Sequence, residues 1–430
     1  GCEAIAERGL RNVSIPNSIN ALALLASGNP KYQPMLSDYA RMVADYRVGA
    51  FATWHYGYAI LFLAEYVIAT GDDSLMPGLK RLALEAAHGQ SKVGTWGHRF
   101  ALPDGRVGGY GCMNSPGIPL TISMVLAREA GVKDPDLDDA ISKSARFLRW
   151  YVDKGAIPYG DHAPWPGHED NGKCSMAAVL FDLLGDREAA SFFAKMSTAA
   201  YDERERGHTG NFFNILWAMP AVSRCGPLAS AAYWRQQAWY YDLARGWDGN
   251  FRYQGSPVGE EEHGKYSDFD NTGTYLLAYA LPLKSLYLTG KQPSSVLALN
   301  KSSVDEVIAA GRGYFSTKKN APFRYTDRSE RDLLIGLSSW SPSVRKRSAA
   351  ELKKRKGDFQ PALLKLMDSN DRYSRYGAAE ALGQLGAKVD TGVSVSTLTD
   401  ALESDDLCLR ILAAEALARI GSPARPAVPV

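Results

Sequence analysis

The sequence predicts an all-α protein: an (α/α)6 toroid, or barrel of six helical hairpins, followed by a short two-helix α-solenoid. Three observations carry this. A loop bearing Gly or Asn, followed by an apolar run rich in Ala and Leu, occurs six times, beginning near Asn17, Trp54, Asn114, Asn171, Gly210 and Asn271. Amphipathic segments with charged faces follow those runs, at roughly 33–48, 75–89, 136–152, 187–201, 229–245 and 303–311. After residue 330 a different and shorter unit repeats three times.

The six runs are apolar nearly all round, which marks helices buried on every side. Each ends at Gly, the residue that most easily takes the left-handed conformation closing a helix. The sixth reads as one run from Asn271 to Gly290. The intervening segments show one apolar stripe each, as expected of helices returning along the outside. Asp136 opens one of them with acidic residues first and basic residues later, the order the helix dipole favours. Residues 313–330 fit neither pattern and read as a linker, giving domains at 1–312 and 331–430.

In the last third, Ser348 to Leu352, Gly377 to Leu382 and Leu412 to Leu417 align around a pair of alanines and a glutamate. Lys346, Arg375 and Arg410 stand three positions before the first Ala, where they can satisfy carbonyls of a neighbouring repeat, and turns at Ser341, Asn370 and Asp405 precede them. Small residues let helices approach closely, and a period of roughly 30–35 residues belongs to helical-pair solenoids. This resembles HEAT repeats of the short bacterial kind, which implies a protein partner for this region. The ending, 421–430, reads as the opening of a further repeat, and the start at Gly1 as that of a fragment or a processed chain.

Lys plus Arg is 49 against 47 Asp plus Glu, a net charge of +2 that argues against a nucleic-acid binder. The basic cluster of Arg345, Lys346 and Arg347 with Lys353 to Lys356 reads as a solvated helix face. Polar residues interrupt every apolar stretch before about 18 residues, so no membrane span is expected. Five scattered Cys imply no disulfide framework.

In a toroid the loops entering the buried helices meet at one end. Those loops hold six of the seven His and a concentration of Trp and acids. Such a set suits a ligand cavity with aromatic walls. The candidate catalytic groups are Asp161, His162, Glu169, Asp170, Asp268 and Asp270; the candidate binding groups are Trp54, His55, Tyr56, Trp96, His98, Arg99, Trp165, His168, Asn171, His208, Asn211 and Trp247. Trp and Tyr faces stack on sugar rings, and paired carboxylates cleave glycosidic bonds. The expectation is a glycoside hydrolase acting on an oligo- or polysaccharide without a cofactor, periplasmic or extracellular if so. A polysaccharide lyase remains the alternative, with His162 or a Tyr as base and Arg99, His55 or Asn171 neutralising a uronate. A non-catalytic scaffold binding protein or glycan is another. A zinc site from Cys112, Cys174 and His208 is a weaker one, since no Cys-Cys or Cys-His spacing motif supports it.

Gln90, Gly94 and Trp96 match the Q-x3-G-x-W motif of triterpene cyclases, and Asp136, Asp138 and Asp139 their D-x-D-D motif. The chain thus resembles the toroid superfamily of six-hairpin glycosidases and terpenoid cyclases, and bacterial proteins joining a toroid to HEAT repeats. In the cyclases the first motif ties helix ends to turns, which implies a structural role here. The second starts an exposed helix, the wrong face for a catalytic acid.

Overall fold

The structure, a computed structural model, describes residues 1–47, 52–204, 212–252, 269–313, 324–388 and 390–428. Every regular element among them is helical. The chain divides into two compact units, one of Gly1–Val152 with Ala156–Ala309, the other of Asp153–Gly155 with Ala310–Val430.

In the first unit the helices are α1 (Cys2–Arg8), α2 (Ile15–Ala26), α3 (Gln33–Ala44), α4 (Ala52–Thr70), α5 (Met76–His88), α6 (Asn114–Glu129), α7 (Pro135–Arg149), α8 (Lys173–Leu183), α9 (Arg187–Ala199), α10 (Phe212–Arg224), α11 (Pro227–Ala244), α12 (Thr272–Ala280) and α13 (Lys301–Gly311). Capping fixes several starts: the Ser14, Asp134 and Asp186 side chains accept from backbone N–H groups of α2, α7 and α9. The outer helices bury one stripe, as α7 does with Leu137, Ala140, Ile141, Ser144 and Leu148. The even-numbered helices from α2 to α12 are buried nearly all round, in the expected alternation.

Those six buried helices touch in sequence, α2 on α4, α4 on α6, α6 on α8, α8 on α10 and α10 on α12, and α12 touches α2 to close the cycle. Gly57 of α4 lies against Pro119 and Leu120 of α6, and Gly273 of α12 so close to α2 that a Cβ would stand 2.7 Å from the Asn20 nitrogen. Rings from opposite helices fill the middle: Tyr58 of α4 stacks on Phe213 of α10 at 5.6 Å and accepts a 3.1 Å hydrogen bond from Trp217 Nε1. All three are fully buried, worth roughly 2–3 kcal/mol each in area removed from water.

The sixth buried run is shorter than expected. Helix α12 stops at Ala280, because Pro282 has no N–H to continue the ladder. Residues 284–300 instead cross the C-terminal ends of the buried helices without regular structure. Ser285 donates to the Ala26 carbonyl at the end of α2 (2.7 Å). Glu65 of α4 accepts from the Tyr287 and Leu288 nitrogens (3.1 and 2.8 Å). Asp182 of α8 accepts from the Ser294 hydroxyl and from Ser295 nitrogen and hydroxyl (2.9, 2.7 and 2.8 Å), and pairs with Arg224 at 2.8 Å. Burial pushes the Glu65 carboxyl up to about 7.

The second unit holds three helix pairs: α14 (Glu330–Leu337) with α15 (Pro342–Leu352), α16 (Gln360–Met367) with α17 (Arg372–Leu385), and α18 (Thr391–Leu402) with α19 (Leu407–Ile420). Ser341, Asp371 and Asp406 cap the second helix of each pair. Four residues after each cap an arginine turns back: Arg345, Arg375 and Arg410 donate to the Ser339, Ser369 and Ser404 carbonyls at 2.7, 2.7 and 2.5 Å. The recurring basic position of the first repeat is therefore Arg345 rather than Lys346, and the carbonyl it satisfies lies in the turn before its own helix rather than in a neighbouring repeat. The basic cluster is partly engaged as well, with Arg345 buried and both Lys354 and Arg355 paired with Glu351. Within the segment read as a linker, residues 314–323 lie outside the described residues and Tyr325–Asp327 forms a 3-10 turn. No helix among the described residues is long and apolar enough to cross a membrane.

Candidate functional site

The first turns of the buried helices, and the residues just before them, carry several buried polar side chains. Several have buried atoms with no hydrogen-bond partner among the described residues: His55 Nδ1 in α4, Ser115 Oγ in α6, both amide atoms of Asn171 just before α8, Lys173 Nζ in its first turn, Asn271 Oδ1 just before α12 and Thr274 Oγ1 within it. Buried polar groups are nearly always paired, so a set of orphans at these helix starts marks a place where something else supplies the partners. Each orphan hydroxyl or amide both donates and accepts. Burial holds the His55 imidazole below its ordinary value, favouring its neutral form.

Around these helix starts runs a circuit of contacts. Trp54 Nε1 donates to His98 Nδ1 at 3.0 Å. His98 lies 6.4 Å from Tyr110 and Tyr110 5.4 Å from Tyr159, both edge-on. The Lys173 ammonium stands 5.7 Å above the Tyr159 ring and 3.0 Å from Asp170 Oδ2. The turn Asn171–Gly172 is left-handed at both residues, and a Cβ on Gly172 would fall 2.5 Å from the Phe213 carbonyl. Phe213 then returns to Trp54 at 5.7 Å. Asn114 holds the Tyr159 loop by donating to the Pro158 and Gly160 carbonyls (3.0 and 2.8 Å).

One residue before Asp170 the chain is engaged in a different way. Glu169 accepts from the Cys174 and Ser175 nitrogens (2.8 and 2.9 Å), occupying the N-terminus of α8, and its other buried neighbour is Arg204 at 3.4 Å. Arg204, with no exposure, also donates to Tyr233, Ser175 and Ser197. Glu203 accepts from the His168 and Glu169 nitrogens and lies 3.2 Å from His168 Nδ1. Glu169 and His168, expected as a catalytic and a binding group, are thus members of a buried network of hydrogen bonds and ion pairs that shapes the loop.

Other expected residues serve the fold. Trp96 is fully buried and donates to the Ala86 carbonyl at 2.8 Å, while Gln90 reaches the Ala140 carbonyl of α7 at 2.8 Å, so this motif does tie helices to turns. Tyr56 turns outward to Glu85 of α5. Asp270 caps α12 through the Thr272 nitrogen (3.0 Å) and binds Arg8 and Asn20. Asp136, Asp138 and Asp139 form surface pairs with His88, Arg128 and Lys143.

Asp161, His162 and Arg99 are exposed, Trp165 is 41% and Trp247 97% exposed, and none of them joins the circuit. His208, Asn211 and Asp268 lie outside the described residues. Cys174 is buried within α8 and Cys112 lies beside Ser91; burial pushes both thiols up. Among the described residues no three His, Cys, Asp or Glu side chains gather as a metal-holding group. Lys173, Tyr110, Tyr159, Ser115 and Phe213 were missed in the sequence. For Lys173, Ser115 and Phe213 the one readable signal was position, a polar or aromatic residue in the first turn of an otherwise apolar helix, while Tyr110 and Tyr159 lie in the loops before α6 and α8.

The family described as Domain of unknown function (DUF6288) matches residues 1–290, and the family described as HEAT repeats matches residues 330–418. No curated protein and no solved structure matches the chain.

Proposed function

The chain belongs to the DUF6288 family, and on that premise we propose that its first unit is an (α/α)6 toroid whose rim binds and hydrolyses a glycan. The closed order of contacts among the six buried helices supports the toroid. The orphan polar groups His55, Ser115, Asn171, Asn271 and Thr274 at the starts of the buried helices are the observation that carries the ligand. Their chemistry is that of partners for hydroxyls, and the exposed Tyr110, with Tyr159 beside it, supplies a flat apolar face a pyranose ring can stack upon. Residues 284–300 bond to α2, α4 and α8 near their C-terminal ends, which favours entry from the rim. Asp170, beside Lys173, and the exposed Asp161 are the carboxylates available to the reaction.

Titration with a panel of neutral and acidic oligosaccharides, followed by intrinsic tryptophan fluorescence, tests binding; release of new reducing ends tests hydrolysis. A glycan of the panel should perturb Trp54, and Asp170→Asn or Asp161→Asn should slow its hydrolysis at least a hundredfold, on the order expected for loss of a catalytic acid or base. A panel that leaves the fluorescence unchanged throughout sinks the proposal. The HEAT repeats are consistent with a protein partner for the second unit, a role we assign to it independently of the rim.

A further inference from the structure

We infer that the Asp170–Lys173 pair makes the rim selective for neutral glycans over those carrying a uronate or phosphate, an inference that rests on the glycan reading above. Lys173 has no exposed surface, and Asp170, with about a quarter of its side chain exposed (26%), is its one charged partner among the described residues, at 3.0 Å. A buried ammonium held this way has its charge met before any ligand arrives. The positive end of the α8 dipole, which would otherwise attract an anion, is occupied by the Glu169 carboxylate through the Cys174 and Ser175 nitrogens.

The wider charge count points the same way. Among the described residues of the cluster, Asp170, Glu169 and Glu203 face Lys173 and Arg204, with His168 as the remaining titratable group, so their sum is zero or negative whichever form His168 takes. Arg99, next to the His98 contact, is exposed and screened by water. Among the described residues of this cluster, an acidic sugar would meet no buried cation whose charge is not already paired. A hydroxyl would meet Asn171, Ser115 and Thr274, each able to donate and to accept, whereas a carboxylate can only accept.

The test compares matched ligands that differ only in the acid: mannan against mannuronate oligomers, and glucan against glucuronan oligomers. Dissociation constants are measured by calorimetry for the wild-type chain, Asp170→Asn and Lys173→Met, with circular dichroism confirming the fold of each. The wild type should prefer the neutral member of whichever pair it binds. Asp170→Asn leaves Lys173 unpaired and should shift the ratio toward the acid by about tenfold. Lys173→Met leaves Asp170 unpaired and should shift it further toward the neutral sugar. A wild type that binds the acidic member more tightly, or a ratio that neither variant moves, overturns the inference while leaving the glycan reading standing. If Asp170→Asn does not fold, the wild-type ratio and Lys173→Met decide. Absence of binding to every oligomer removes the glycan reading and this inference with it.

Discussion

The two ends of the buried-helix cycle are built from the same helices and treat polar groups in opposite ways. At the C-terminal end each buried carboxylate has its donors: Glu65 takes the nitrogens of Tyr287 and Leu288, and Asp182 takes Ser294, Ser295 and Arg224. At the N-terminal end six of the described residues, His55, Ser115, Asn171, Lys173, Asn271 and Thr274, keep polar atoms buried without a hydrogen-bond partner. A protein gains stability from the first arrangement and loses some in the second, because an unmade buried hydrogen bond costs about 1–3 kcal/mol. On the proposed reading, the difference separates an end that closes the fold from an end kept ready for a ligand. The clamp around Glu169 shows that the second end can be satisfied where the fold requires it, one residue away from where it is not.

The largest expected effect breaks that clamp. Arg204→Leu leaves Glu169 and Glu203 buried beside each other without the cation between Glu169 and its neighbours. Removal of one partner from a buried pair typically costs about 3–5 kcal/mol, so the first thermal transition should fall steeply or vanish. A melting temperature within a degree or two of wild type would show that the clamp is not what holds the loop.

The next concerns Glu65. Its folded value of about 7 lies above the ordinary 4.5, so the folded chain binds this proton more tightly than the unfolded one. The associated stability is fully present below about pH 4.5 and is lost as pH rises through 7, on the order of 3 kcal/mol over that window. Stability of wild type and Glu65→Gln, measured across that range, should differ in slope, the variant losing less with rising pH. Parallel curves would contradict a buried, protonatable Glu65.

The smallest effect on stability belongs to Asn171→Gly. It deletes an unpartnered amide and relieves a left-handed non-glycine residue at φ 54°, so stability should stay within about 1 kcal/mol of wild type or rise. Glycan affinity should fall nonetheless. A loss above about 2 kcal/mol in denaturation would place Asn171 with the clamp and erase the contrast between the two ends.

Much of this architecture was legible before any coordinates. The six apolar runs, the return helices from α3 to α13 and the three solenoid pairs all follow from hydrophobic periodicity and capping residues, which are local. The sixth run was misread because its composition stays apolar past Pro282, and Leu286 and Leu288 are buried by crossing helix ends rather than by continuing a helix. The repeat arginine was misplaced by one residue because the alanine pair, not the cap, set the alignment.

The candidate site was only half legible. Stretch 157–176 was recognisable from its Pro, Gly, His and acidic residues, and Asp170, Asn171, His55, His98 and Trp54 do come together at one end. Its chemistry could not be sorted from there, because Glu169, Asp170 and Asn171 are adjacent in the chain and differ only in what approaches them. Glu169 meets Arg204 from 35 residues away, and Asp270 meets Arg8 from 262 away. The sequence by itself determined which segments are helical and which faces are buried, since those depend on spacing along the chain. Only the tertiary structure decided which polar groups are satisfied and which are left free, since a hydrogen bond or an ion pair is chosen among neighbours in space.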